Sequence, residues 1–419
     1  MSVSPSSSPA TSKQAVVLAF SCFALAYFLT YGLRSVNATL APFITADLGL
    51  TDAQLGGLSA VFFLGLAVMQ MPLGVWLDRY GARRVECALL LVAVLGSVML
   101  ALAPNDRWFI GGRILLGVGV SACLMAPFSY FRRCFPAGMQ AQLALWLLVA
   151  GSSGSLLFTV PVELMAGAWG WRTVHGLSAL SLVICTVVLW IYLKDDDLKF
   201  LSSAENPAEK ISLLKLLVHP LMLRVGPASI ALQGGAMAVL SLWAGPWLME
   251  SLGMNSAQSS RVLLGLMTSI ALGYLLMGVL RAWLQKRFSF LSVIFACFML
   301  HAVVVLLIAL WRSPSAWWLW LVFGVSLGPW TLMQPLLVSR FPKAVAGKVA
   351  TLYNMLVFIG AFLVQWGIGA MIDVLSLWVP DRAQAFQLTL LGLGVLQGLA
   401  ALQFLKVAIP AMRKTRVAD

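Results

Sequence analysis

The chain has 419 residues, of which 61% are hydrophobic and only 10% are charged. Soluble domains carry about 25% charged residues, so this composition excludes an ordinary soluble protein and predicts an integral membrane protein. The formal net charge of +13 does not indicate a nucleic-acid partner, because no basic domain lies outside the apolar segments.

Twelve apolar segments follow one another along the chain, and nearly every one is long enough for a helix of about 20 residues. We therefore predict an all-α membrane protein with twelve transmembrane helices. The predicted helices span residues 15–41, 50–77, 85–103, 107–131, 139–164, 172–193, 224–249, 261–282, 289–311, 315–339, 346–373 and 384–408.

One long polar connection separates the sixth helix from the seventh, so the helices divide into two groups of six. This spacing predicts an N-terminal tail (1–14), a six-helix bundle (15–193), a central loop (194–223), a second six-helix bundle (224–408) and a C-terminal tail (409–419).

The distribution of Lys and Arg predicts the orientation in the membrane. With the N-terminus inside, 21 of the 28 Lys and Arg residues fall on the cytoplasmic side and five on the other side. Arg34 and Arg113 lie within predicted helices. The positive-inside rule therefore places both tails and the central loop in the cytoplasm, and the twelve helices suggest a bacterial inner membrane.

The stretch GVWLDRYGARR, residues 74–84, joins the second and third helices. It resembles the signature loop of the major facilitator superfamily, usually written G-x-x-x-D-[RK]-x-G-[RK]-[RK]. The resemblance implies two bundles built of inverted three-helix repeats, a monomer that works by alternating access, and a membrane setting. Ala82 stands where the family often has Arg or Lys, and the matching residues are Gly74, Asp78, Arg79, Gly81, Arg83 and Arg84.

By the same resemblance, this loop is a gate. Asp78 would interact with the cytoplasmic start of the eleventh helix and with loop arginines, and Gly74 would let the second and eleventh helices approach closely. An acid near a helix N-terminus is favourable by about 0.3–1 kcal/mol.

Arg34 is the main candidate for substrate binding, because an ionisable group inside a membrane helix is costly and is a functional hypothesis by default. Tyr27, Tyr31, Arg34 and Thr39 follow roughly helical spacing and form one polar stripe. A guanidinium can hold a carboxylate by two parallel hydrogen bonds. The alternatives are snorkelling to the outer interface and pairing with an outer acid such as Glu163 or Asp373.

The resemblance implies that helices 1, 4, 7 and 10 line the cavity, with contributions from helices 5, 8 and 11. On that placement the further substrate-binding candidates are Gln233, Trp243, Gln334, Tyr353 and Asn354. Hydrogen bonding between helices is the alternative role for each of them.

Arg113 belongs to a stretch that resembles the superfamily's motif in the fourth helix, and in several members this arginine takes part in proton coupling. Structural pairing is the alternative. Glu163 and Asp373 are candidate protonatable partners that would link proton entry to anion release.

No phosphate-binding Gly-rich loop, metal-ligand cluster or nucleophile–base pattern occurs in the sequence, so we expect neither an enzyme nor a cofactor. The expected function is proton-coupled uptake (symport) of a small or medium organic anion. The alternatives are proton-driven efflux of a drug or metabolite on the same fold, and a membrane sensor that does not transport.

The gate hypothesis predicts that Asp78→Asn impairs turnover more than substrate binding, because the variant loses the gate but keeps the cavity. Transport and binding of the same labelled anion, measured at equal expression, would test this. Equal loss of both would count against the gate.

Overall fold

The computed structural model describes residues 13–193, 213–342 and 345–410. The predicted tails and most of the central loop fall outside these residues. Within them the chain is helical and contains no strand, and twelve successive membrane helices can be followed. Their bounds are α1 Lys13–Leu48, α2 Asp52–Tyr80, α3 Ala82–Ala101, α4 Asp106–Gly119 continued by Met125–Cys134, α5 Ala137–Trp169, α6 Trp171–Tyr192, α7 Pro220–Glu250, α8 Ser256–Arg287, α9 Phe290–Leu310, α10 Pro314–Val338, α11 Ala346–Leu375 and α12 Arg382–Ala408.

Eleven of the described helices are individually long and apolar enough to cross a membrane. The fourth crossing is made of two shorter helices, because residues 120–124 form turns between Gly119 and Met125. The prediction of twelve helices is confirmed, whereas the continuous fourth helix expected over 107–131 is interrupted.

Each half of the chain builds its own apolar core. One core runs from Ala19 to Leu193 and the other from Leu216 to Ile409, with only a few residues exchanged between them. This division confirms the two-bundle architecture. The large apolar side chains left exposed on the outside of the bundles suit a hydrocarbon environment.

The second helix of each bundle begins in the same way. Thr51 caps α2 and Asn255 caps α8, and in both cases a glutamine three residues later, Gln54 or Gln258, completes a capping box. These side chains satisfy amides that a helix start leaves without partners.

The two bundles meet closely at one end of the molecule, where α2 begins and α11 ends. A Cβ on Gly369 would overlap the Asp52 carbonyl oxygen, and a Cβ on Gly56 would lie 2.8 Å from the Gln365 carbonyl oxygen. We call this the network end. Only residues without a side chain allow helix backbones to approach so closely.

The other end of the molecule carries the loop of residues 78–84, and we call it the signature end. A Cβ added to Gly74 would have no atom of another helix within 4 Å. The helices α2 and α11 therefore touch at the network end and diverge toward the signature end. The close approach of the second and eleventh helices expected at Gly74 is not seen between the described parts of these helices in this conformation.

Because the bundles touch through Gly369, Gly369→Ala should force the network end apart. The matched control is Gly367→Ala on the same helix, since a Cβ there would meet nothing within 4 Å. Overpacking of this kind costs about 1–3 kcal/mol, enough to shift a conformational equilibrium about tenfold. Spin labels on cysteines introduced at Leu102 and Leu377, which are 68% and 83% exposed at this end, would report the distance between the bundles. An unchanged distance in Gly369→Ala would contradict the proposed contact.

Candidate functional site

A cavity of about 290 Å³ lies between the two bundles, and we call it the central cavity. Its wall includes residues of α1, α2, the turn that interrupts α4, α5, α7, α8, α10 and α11. Its polar lining residues are Tyr27, Thr30, Tyr31, Arg34, Ser35, Gln70, Ser121, Ser152, Ser155, Gln233, Ser241, Tyr274, Thr331, Gln334, Tyr353 and Asn354, together with the indole of Trp330.

Most of the predicted substrate-binding residues line this cavity: Tyr27, Tyr31, Arg34, Gln233, Gln334, Tyr353 and Asn354. Trp243 is not among the lining residues, so its predicted position in the cavity is corrected. The Trp243 indole N–H donates to the Gln365 carbonyl oxygen at 2.9 Å, and the ring packs against Phe386. Trp243 is therefore part of the buried packing between α7, α11 and α12.

Arg34 is the one charged residue among the described residues that line the cavity. The Arg34 guanidinium lies 4.8 Å from the centre of the Tyr31 ring, and Nε has no hydrogen-bond partner in the described structure. The Tyr27 hydroxyl donates to the Tyr31 hydroxyl at 3.1 Å. Neither Glu163 nor Asp373 pairs with this arginine among the described contacts, so its charge remains available to the cavity.

The C-terminal bundle forms the facing polar wall. The Gln334 side-chain amide donates to Asn354 Oδ1 at 3.0 Å and to the Ala350 carbonyl oxygen at 3.1 Å. Gln233 Nε2 and the Tyr353 hydroxyl have no hydrogen-bond partner among the described residues. Several hydrogen-bond donors therefore face the space opposite Arg34.

Sequence reasoning did not select Tyr274 of α8 or the serines of α5 and the α4 turn. In the sequence, nothing distinguishes Tyr274 from the other polar residues inside predicted helices. No proline or charged residue within residues 120–124 indicates that α4 is interrupted there. Ser155 donates its hydroxyl hydrogen to the Tyr31 carbonyl oxygen at 3.0 Å, which ties α5 to the Arg34 stripe.

A group of charged residues joins the bundles at the network end. The Asp373 carboxylate accepts hydrogen bonds from the backbone N–H groups of Asp52, at 3.1 Å, and Ala53, at 2.9 Å. Arg382 donates to both carboxylate oxygens of Asp52, from Nε at 2.8 Å and from Nη2 at 2.6 Å, and also pairs with Glu250. An acid of α11 thus caps the start of α2, where the helix dipole favours negative charge.

The signature loop is arranged within the N-terminal bundle. The Asp78 carboxylate is 59% exposed and lies 3.8 Å from Arg132, while Arg133 donates to the Leu77 carbonyl oxygen at 3.0 Å. Gly81 makes the turn between α2 and α3 with a φ of 83°, which favours glycine.

The other arginines of the loop have separate positions. The Arg83 guanidinium donates to the Trp190 carbonyl oxygen at 2.6 Å and lies 4.4 Å from the centre of that indole. Arg79 stacks over Tyr80, and Arg84 is exposed. Among the described residues Asp78 makes no contact with α11 in this conformation, so the gate stays a prediction for the opposite one.

The spacing G-x-x-x-D occurs at the end of both helices that form the interface. Gly74 and Asp78 end α2 at the signature end, and Gly369 and Asp373 end α11 at the network end. In this conformation the α11 pair contacts the start of α2, whereas the α2 pair contacts no part of α11 in the described structure.

The three predicted coupling residues are not brought together. Arg113 is buried in the N-terminal bundle, where Nη2 donates to the Ser59 carbonyl oxygen at 3.3 Å and the guanidinium lies 4.7 Å from the Phe62 ring centre. Glu163 is half-buried on α5 without an ion pair among the described residues, and Asp373 belongs to the network end.

A family model described as the Major Facilitator Superfamily matches residues 23–365. The chain belongs to this superfamily. The match covers the signature loop, most of the cavity lining and the larger part of both bundles. Membership confirms the resemblance carried by residues 74–84.

Curated relatives within the superfamily are distant. The chain is 27% identical over 225 residues to the uncharacterized MFS-type transporter YbcL of Bacillus subtilis, covering 53% of this chain and 55% of YbcL. It is 25% identical over 187 residues to the sialic acid transporter NanX of Escherichia coli, covering 42% of this chain and 45% of NanX. The chain thus spans about half the length of each relative.

A solved structure of a D-xylose–proton symporter matches the fold of this superfamily member with a TM-score of 0.77. The alignment covers 94% of this chain and 98% of the symporter at 18% identity. At that identity the likeness establishes the fold alone.

Asp373→Asn should open the network end, because the neutral amide loses the favourable interaction of a carboxylate with the start of α2. The matched control is Asp106→Asn, since the Asp106 carboxylate accepts only from the adjacent Arg107 amide in the described structure. Loss of a charged cap is worth about 1–2 kcal/mol, or roughly five- to thirtyfold in the ratio of closed to open molecules. The spin-label pair at Leu102 and Leu377 measures this ratio. Equal distances in both variants would contradict a closing role for Asp373.

Proposed function

We propose that this member of the superfamily is a proton-coupled secondary transporter that takes up a small organic anion with one negative charge and an apolar body. The observation that carries the proposal is the single charge of the cavity lining, Arg34. The proposed setting is a bacterial inner membrane with both termini in the cytoplasm, and the proposed working unit is a monomer.

The sign of the cavity charge favours an anion. No described carboxylate neutralises Arg34, and the surrounding tyrosine hydroxyls and amides can donate hydrogen bonds. Two opposite charges 4 Å apart attract by about 4 kcal/mol at an effective dielectric constant of 20. A cationic substrate would be repelled by Arg34. A second negative charge on the substrate would have no second cationic side chain to pair with among the described lining residues.

The size and the remaining lining favour a small molecule with an apolar part. Ligand sites commonly enclose about 300–1,000 Å³, so a cavity of about 290 Å³ is at the small end of this range. Apolar side chains fill much of the wall between the polar groups, including those of Leu66, Met237, Met267, Leu327 and Phe358.

The asymmetry of the two ends supports alternating access. With the signature end in the cytoplasm, as the Lys and Arg distribution predicts, the network end is the closed outer gate and the bundles separate on the inner side. Co-transport of one proton would balance the charge of a monoanion. The match to a sialic acid transporter supports this choice of substrate class.

Arg34→Gln should abolish stabilisation of the purified protein by small monocarboxylates. A ligand at 100 times its dissociation constant stabilises the folded protein by about 2.7 kcal/mol, which thermal unfolding detects. The measurement compares a panel of aromatic and aliphatic monocarboxylates with neutral and cationic amphiphiles of similar size. Arg107→Gln, an exposed arginine outside the cavity lining, is the matched control.

We expect one class of carboxylate to stabilise the wild type and the Arg107→Gln control. The same carboxylates should not stabilise Arg34→Gln. If cationic or neutral amphiphiles stabilise all three proteins equally, Arg34 is structural and drug efflux becomes the better proposal. Uptake of the stabilising anion into vesicles, against export from them, then tests the direction.

A further inference from the structure

Glu86 is a fully buried acid that the proposed site does not use. It lies in the second turn of α3, and its exposed fraction is 0%. Neither of its carboxylate oxygens has a hydrogen-bond partner among the described residues, and no described cation forms an ion pair with it. An acid inside a membrane bundle without a partner is a functional hypothesis by default.

Four thiols are among the neighbours of Glu86. They belong to Cys22 of α1, Cys87 of α3, Cys123 of the turn that interrupts α4 and Cys185 of α6. Weakly polar thiols solvate an ionised carboxylate poorly. Arg83, three residues earlier on α3, donates to the Trp190 carbonyl oxygen and stacks on its indole.

Burial of an ionised carboxylate without a counter-ion costs several kcal/mol. A leucine or a glutamine would fill the same volume without the cost of burying an ionisable group. The acid is therefore explained more readily by a task that requires a proton than by packing.

Glu86 and the cavity residue Thr30 share one neighbour, and no hydrogen bond of the described structure joins the three groups. The Cys123 thiol is a neighbour of both the Glu86 carboxyl group and the Thr30 hydroxyl, and Thr30 lines the cavity. Cys123 can occupy this position because α4 is interrupted at residues 120–124, and Ser121 of the same turn lines the cavity too. In transporters, interrupted helices often form the sites of coupling ions.

We propose that Glu86 is the proton-binding site of this transporter, reached from the cavity through Thr30 and Cys123. The proposal rests on the proposed proton-coupled function. The only bond that forms and breaks is the O–H bond of the carboxylic acid, and the proton passes to and from water in the cavity. Binding of the proton stabilises the conformation that is closed at the network end.

The test needs no substrate. The spin-label pair at Leu102 and Leu377 is measured in reconstituted protein from about pH 6 to about pH 10, a range in which ordinary or ion-paired carboxylates stay ionised. In the wild type, loss of the proton at high pH should shift the ratio of closed to open molecules roughly tenfold toward the open form. Glu86→Gln, which imitates the protonated acid, should stay closed throughout, whereas Asp106→Asn, a change at an exposed acid outside the cavity lining, should behave as the wild type.

A wild type without a pH-dependent shift, or a Glu86→Gln variant that shifts like the wild type, would overturn the proposal. Infrared spectroscopy of the wild type supplies a second test that does not depend on folding of a variant. The carbonyl band of a protonated carboxylic acid should be present at about pH 7 and disappear at high pH; its absence at about pH 7 would also overturn the proposal. Binding of carboxylates through Arg34 is measured separately, so failure here leaves the anion proposal intact.

Discussion

The contact between the Asp373 carboxylate and the first amides of α2 joins the two bundles at the network end. A helix start presents N–H groups without intrahelical partners, and here an acid from the other bundle accepts two of them. Gly369, one turn earlier, allows the backbones to meet closely enough for those bonds. Arg382 then neutralises Asp52, so the closed end contains paired charges rather than isolated ones.

The acids of the network end are bound by α2 amides or by Arg382, and none of them pairs with Arg34 among the described residues. The guanidinium keeps a tyrosine face as its closest partner and directs its charge into a cavity that is otherwise uncharged among the described residues. Glu86 presents the complementary case, since it is a buried acid of the same bundle whose carboxylate oxygens have no hydrogen-bond partner among the described residues. An anion at Arg34 and a proton at Glu86 would together neutralise both groups, which gives a physical reason for moving the two species together.

Sequence reasoning located the cavity residues well where chemistry was unusual for a membrane helix. Arg34, Gln233, Tyr353 and Asn354 stood out because polar groups are expensive in hydrocarbon, and each lines the cavity. The predicted position of Trp243 in the cavity lining was wrong, because an indole is equally compatible with lining a ligand site and with packing in a buried core. Its N–H found a backbone carbonyl on α11 instead. Tyr274 was passed over because one tyrosine on an apolar helix does not reveal which face it occupies.

The sequence by itself determined the number of membrane helices, their division into two bundles, the superfamily and the presence of an arginine in the first helix. These properties follow from local hydropathy, segment length and short motifs. Only the tertiary structure decided that Asp373 caps α2, that α4 is interrupted at residues 120–124 and that Asp78 meets no part of α11 among the described residues. The reason is that Asp373 and Ala53 are separated by 320 residues. Which carboxylate meets which amide depends on how helices pack, and no local pattern records that.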